Sequence, residues 1–184
     1  MEHFYQNIHG WPNELPEVYA EMVSNAPTTG SHFIEVGCFK GASSAAMCVE
    51  IINSGKNIKF DCIDIWGESH IELTEALGNV TWPDNALYEE FINNMKPVEG
   101  YFTAIQMSST DAANLYEDNS LDFVCIDAAH DYENVKNDIL SWLPKIKSGG
   151  VLAGDDYNWP NVKKAVNELC PNHTANIAWK WTKP

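Results

Sequence analysis

Two short stretches carry side chains whose types and spacing can do chemistry: Asp127-Ala128-Ala129-His130 and Asp155-Asp156. Each follows an apolar run, Phe123-Val124-Cys125-Ile126 in one case and Val151-Leu152-Ala153-Gly154 in the other. Such runs, bounded by polar residues, read as strands buried on both faces. Unpaired charge is costly inside a strand of that kind, so the acids belong at the C-terminal strand ends. The crevice beyond those ends is where open α/β sheets bind ligands. Three carboxylates and one imidazole converging there can hold a divalent cation and supply a general base. A set of oxygen donors favours Mg²⁺, Mn²⁺ or Ca²⁺ over zinc.

A second constellation sits upstream, in Glu35-Val36-Gly37-Cys38-Phe39-Lys40-Gly41-Ala42-Ser43. It joins an apolar run to a helical pattern through glycines at 37 and 41, which permit a tight turn and a close approach of ligand to backbone. A dinucleotide turn has the spacing GxGxxG, whereas here position 39 is Phe and the second glycine falls at i+4, which argues against NAD. The next apolar run ends in Asp64, suitably placed to accept hydrogen bonds from ribose hydroxyls.

The elements that must position these residues follow from periodicity. Strands are expected over 32–38, 59–66, 102–108, 121–127 and 150–156, alternating with helices over 16–26, 42–53, 84–95, 131–143 and from Pro160 onward. Asp84 and Asp131 are candidate N-caps. Pro144 and the Gly149-Gly150 pair are expected to end the helix that follows the fourth strand. This alternation predicts parallel strands joined by right-handed crossovers, with helices on both faces of one sheet. Residues 1–30 form a segment ahead of the first strand. The second crossover is unusually long, and its part over 67–82 is either a lid, with Gly67 and Gly78 as hinges and Trp66, His70 and Trp82 closing over a substrate, or a fixed surface loop packed by its own tryptophans.

Composition bounds the partners. At 184 residues, 45% hydrophobic and 11% aromatic, the chain is long enough for one domain with a substantial core. Its formal charge of -15, with no basic cluster, disfavours nucleic acid. The five cysteines are odd in number and lack CxxC spacing, which fits free buried thiols in a reducing cytosol. No apolar stretch approaches the ~20 residues that cross a bilayer, and the N-terminus lacks the pattern of a secretory signal, so a cytoplasmic location is expected.

Taken together, EVGCFKG, the Asp64 strand end, the Ser108-Ser109 step, and CIDAAHDY followed by GGVLAGDDY resemble the class I S-adenosylmethionine-dependent methyltransferases. Within them the chain is most similar to small metal-dependent O-methyltransferases of the catechol and macrocin type, over about residues 33–167. The resemblance implies one α/β domain, a Rossmann-like, doubly wound and mostly parallel sheet. It also implies S-adenosyl-L-methionine as cofactor. Glu35 and Gly37 would then lie near its methionine part, with Phe39 and Gly41 in the same turn and Ser43 on its carboxylate. Asp64 and Ile65 would face the ribose, Ser109 and Thr110 the adenine. The family's metal-dependent members imply Mg²⁺ on Asp127, Asp155 and Asp156. They also imply His130 as the base that takes the acceptor's proton, with Asp127 in the catalytic set and bordering the cofactor.

The expected acceptor is a small hydroxylated molecule. Two other classes stay open at this stage: a metal-free methyltransferase or S-adenosylmethionine-cleaving enzyme on the same fold, and a non-catalytic binding protein. Beyond Pro171 few residues remain, so a single edge strand over 176–183 is expected, a shortened antiparallel edge. Trp179 and Trp181 either meet a partner chain as a homodimer contact or pack on the last helix.

Overall fold

The computed structural model describes residues 1–67 and 85–184. Five parallel strands carry the site: β1 (Ser31–Val36), β2 (Ile58–Asp64), β3 (Thr103–Gln106), β4 (Leu121–Ile126) and β5 (Ile146–Gly154). A C-terminal hairpin of β6 (Thr174–Ala175) and β7 (Trp179–Thr182) adds two antiparallel strands, giving the order β3-β2-β1-β4-β5-β7-β6. The order reverses between β1 and β4, and this switch point opens the crevice at the C-terminal ends of the strands.

Alternation along each strand sorts the core into two layers. Phe33, Phe60, Phe123 and Cys125 face one side, under α1 (Leu15–Asn25), α2 (Ala42–Ser54) and α3 (Ala86–Met95). Ile34, Ile63, Val124 and Leu152 face the other, under α4 (Ser109–Ala113), α5 (Tyr132–Trp142) and α6 (Pro160–Leu169). Helix α1 places Leu15, Val18, Tyr19, Met22 and Val23 on its buried stripe, at the spacing a 3.6-residue period requires. Its C-terminal carbonyls are held by Lys56, whose Nζ donates to Val23, Ser24 and Ala26 at 2.6–2.8 Å.

Two expectations are corrected, one open alternative is decided and one helix is added. Gly149 and Gly150 lie inside β5, which begins at Ile146. Gly149 takes φ +80° and the pairing with β4 shifts register there, so the glycines make an irregularity in a strand and do not end a helix. Pro144 stands where α5 ends, in the single turn (Leu143–Lys145) that follows it. The short C-terminus holds both hairpin strands, because β6 needs only two residues. Trp179 and Trp181 are buried in the layer under α6, so they pack internally. Helix α4 was not expected. Its signal was present in Ser108-Ser109-Thr110-Asp111, where the Ser108 side chain accepts from the Asp111 amide.

The expected cap Asp84 and the lid residues His70, Gly78 and Trp82 lie outside the described residues. Trp66 lies inside them and is a core residue: it is buried, packs on Phe91 at 4.6 Å between centroids, and donates from Nε1 to the Phe39 carbonyl at 2.8 Å. All five cysteines are buried free thiols.

Candidate active site

The turn after β1 is drawn tight against β4. A Cβ built on Gly37, which has φ +88°, would stand 1.9 Å from the Asp127 carbonyl oxygen. No side chain fits there. Three non-glycine residues at this edge of the sheet also have positive φ: Phe39, Trp66 and Asp156. Backbone held in that sparsely populated region tends to collect where a site is over-determined by its surroundings.

Asp64 organises the turn. Its Oδ2 accepts from the amides of Cys38 at 2.9 Å and Phe39 at 2.8 Å, and its Oδ1 from Trp66 at 2.8 Å. Glu35 is fully buried one layer deeper, accepting from the Tyr19 hydroxyl at 2.8 Å and from the Ser44 hydroxyl. Burial pushes its carboxyl up, and the Ser43, Ser44 and Tyr19 hydroxyls oppose that. These bonds tie α1 and α2 to β1, so Glu35 sets the position of the turn from beneath. Ser43 is buried with it. Ile65 follows Asp64 in the chain and is half-buried. On the β3 side, Thr110 is exposed, whereas the Ser109 hydroxyl accepts from Trp142 Nε1 at 3.0 Å.

Across the switch point, the acids and the imidazole meet as the sequence suggested, but in a different grouping. One ligand atom each from Asp127, His130 and Asp156 lie within 4.8 Å of one another. His130 Nε2 and Asp156 Oδ2 are 2.8 Å apart, and the imidazole stacks on Trp159 at 4.7 Å between centroids. Asp155 stands beside this group of three and not within it. Its Oδ2 accepts from Asn13 Nδ2 at 2.7 Å, and its buried Oδ1 has no hydrogen-bond partner among the described residues. Asp155 borders a small cavity with Asp127, His130, Val135, Val162 and Trp179. Trp179 Nε1 is likewise buried without a partner among the described residues.

Electrostatics match this crowding. Burial, followed by the charges of Asp155 and Asp156, holds the Asp127 carboxyl well above the usual carboxylate range. Asp155 is pushed up to about 6, chiefly by burial, with the Asn13 hydrogen bond opposing. Three carboxylates this close cannot all ionise cheaply without a compensating positive charge. The donor set of Asp127, His130 and Asp156, with the buried Asp155 Oδ1 beside it unpartnered among the described residues, fits an oxygen-preferring divalent cation.

Of the histidines given no role from sequence, His32 pairs with Asp61 at 2.7 Å, His3 with Glu50 at 2.8 Å, and His173 with Tyr157 at 2.9 Å. His9 packs edge-on to Trp11 and Phe39. Asn13 is the site residue sequence reasoning missed. An asparagine in a polar N-terminal stretch carries no signal of a contact 142 positions away.

The class follows from fold and family together. Residues 34–157 match the model of the methyltransferase domain family, well over half the chain. The chain belongs to that family and is an S-adenosylmethionine-dependent methyltransferase. Among solved structures it is similar to the O-methyltransferase NovP, with TM-score 0.67 and 15% identity over 91% of this chain and 78% of that one. It is also similar to CalS11, a TDP-rhamnose 3'-O-methyltransferase of calicheamicin biosynthesis, at TM-score 0.58 and 13% identity over 91% and 77%. A Staphylococcus aureus protein provisionally described as a caffeoyl-CoA O-methyltransferase gives TM-score 0.62 and 14% identity over 96% and 87%. At these identities the likeness speaks for the fold. A search of curated proteins returned no match. No described helix is long and apolar enough to cross a membrane.

Proposed function

We propose that the chain transfers the methyl group of S-adenosylmethionine to a hydroxyl of a small acceptor, with a divalent cation, Mg²⁺ by preference, held at the β4–β5 edge. The observation that carries this reading is the convergence of Asp127, His130 and Asp156 within 4.8 Å, across the switch point from the Gly37 turn. The similar fold of CalS11, a TDP-rhamnose 3'-O-methyltransferase, supports the choice of oxygen as acceptor atom.

Residues divide the work by position. Gly37, Phe39 and Gly41 shape the turn that faces the cofactor's methionine part, with Glu35 and Ser43 supporting it from below. Asp64 and Ile65 are assigned to the ribose, and Ser109 with Thr110 to the adenine border. Asp127, Asp155 and Asp156 would hold the cation, which when bound lowers the pKa of a chelated hydroxyl and neutralises the acidic cluster. His130 takes the acceptor's proton. Asp156, 2.8 Å from Nε2, stabilises the imidazolium that results. Trp159 fixes the ring plane. Methyl transfer is a single displacement at carbon, so alignment of the two substrates in a water-poor crevice supplies most of the acceleration.

A second reading, a metal-free methyltransferase, is favoured by one observation. His130 and Asn13 already satisfy an oxygen each of Asp156 and Asp155. In that case His130 and Asp156 act as a base dyad alone.

The test is a panel of hydroxylated acceptors, sugars and catechols among them, incubated with S-adenosylmethionine in Mg²⁺ or EDTA. Turnover that needs Mg²⁺ supports the leading reading. Equal turnover in EDTA selects the metal-free one, and methylation confined to nitrogen or carbon acceptors overturns the oxygen assignment.

A further inference from the structure

Residues 9–14 run across the mouth of the crevice and touch three separate parts of it. Trp11 stacks on Phe39 of the cofactor turn, with ring planes 15° apart and centroids 6.1 Å apart. Asn13 donates to Asp155 at the end of β5. The Glu14 carboxylate accepts from the amides of Ile177 and Ala178, both at 3.0 Å, and from the Asn176 side chain, anchoring the strap to the β6–β7 turn. Those bonds hold the Glu14 carboxyl below its ordinary value. Asn13 itself takes φ +43°, a conformation asparagine tolerates better than most residues.

The contact between Asn13 and Asp155 differs in kind from the other two, because it reaches the chemistry. Asp155 has two oxygens in a buried setting. Asn13 occupies Oδ2, Oδ1 has no hydrogen-bond partner among the described residues, and Asp155 lines the cavity shared with Asp127 and His130. A buried carboxylate with both oxygens unpaired would be costly and free to rotate; one donor at 2.7 Å removes that freedom.

We propose that Asn13 is a positioning residue of the active site: it fixes Asp155 so that Oδ1 serves the acidic cluster, and it locks the 9–14 strap to that same carboxylate. The inference rests on the reading of Asp155 as part of a cation site. It adds a residue from outside the methyltransferase-domain match, which begins at residue 34.

Asn13→Gly is the informative variant, since glycine keeps the positive φ and removes only the donor. Two readouts are compared in the full chain saturated with S-adenosylmethionine. Calorimetric titration with Mn²⁺ should show affinity weakened ~10–100-fold, the usual effect of losing a partner behind a ligand, while S-adenosylmethionine affinity changes little. Hydrogen exchange of the peptide spanning residues 9–15, measured without metal, should quicken. Asn13→Ser, which restores a short donor, should recover part of both. Unchanged exchange in Asn13→Gly overturns the proposal whatever the metal does, and faster exchange with wild-type Mn²⁺ affinity overturns the positioning role. A wild-type protein that takes up no Mn²⁺ contradicts the cation reading instead, and the exchange comparison then decides Asn13 alone.

Discussion

His130 Nε2 lies 2.8 Å from Asp156 Oδ2, and this pair joins the loop after β4 to the left-handed turn after β5. The bond orients the imidazole between an acid and the face of Trp159, so the ring's position is set by two elements at once. Replacing His130 by Ala should lower turnover ~10²–10⁴-fold, the span expected for loss of a general base. Cofactor affinity should stay nearly unchanged. Steady-state rates across pH 6–9 with calorimetry on the same variant check both statements; normal turnover throughout that range would reduce His130 to a structural hydrogen-bonder.

Gly37→Ala should be among the most damaging single changes. The added methyl meets the Asp127 carbonyl at 1.9 Å in a backbone conformation that already disfavours alanine. A loss beyond ~4 kcal/mol is expected, with the turn displaced. Gly55→Ala is the control: it also has positive φ, at +64°, but nothing lies within 4 Å of the new methyl. That change should cost only ~1–2 kcal/mol. Urea denaturation of the two variants side by side would refute the steric account if they were equally stable.

Stability should fall between about pH 4 and pH 7 through Asp138. Its carboxyl, on α5 itself, is buried and pushed up to about 6, chiefly by burial, against a hydrogen bond from Ser109. The folded state therefore binds this proton more tightly than the unfolded chain does. Its contribution is full below the unfolded value and lost as pH rises through 6. The loss is on the order of 2–3 kcal/mol. Asp138→Asn should match wild type near pH 4 and exceed it near pH 8 in thermal melts. Parallel pH profiles for the two proteins would show that Asp138 is not the source.

Much of this arrangement was readable from residue order. Apolar runs ending in acids put Asp64, Asp127 and Asp155 at strand ends, and Asp131 caps α5 through the Asn134 amide as expected. The misreadings share a cause. Gly149 and Gly150 signal a break, but sequence alone does not say whether a glycine pair ends a helix or bends a strand. Trp66 looked like a lid residue because it follows Asp64 at the crevice, whereas its φ of +40° turns the ring inward against Phe91. The Ser109 hydroxyl accepts from Trp142, 33 positions away, a contact that residue order does not announce. Partners set by tertiary packing, such as Asn13 with Asp155, leave no local trace.

The central claim joins a cofactor turn to an acidic cation site, and one calorimetric series tests the junction most directly. S-adenosylmethionine is titrated into the wild-type protein, then Mn²⁺ into the resulting complex, and the Mn²⁺ step is repeated with Asp127→Asn. The account predicts saturable heat for S-adenosylmethionine, one Mn²⁺ per chain in the wild type, and loss of the Mn²⁺ step in Asp127→Asn with cofactor binding retained. No heat with S-adenosylmethionine at millimolar concentration, or Mn²⁺ uptake identical in Asp127→Asn, would contradict it.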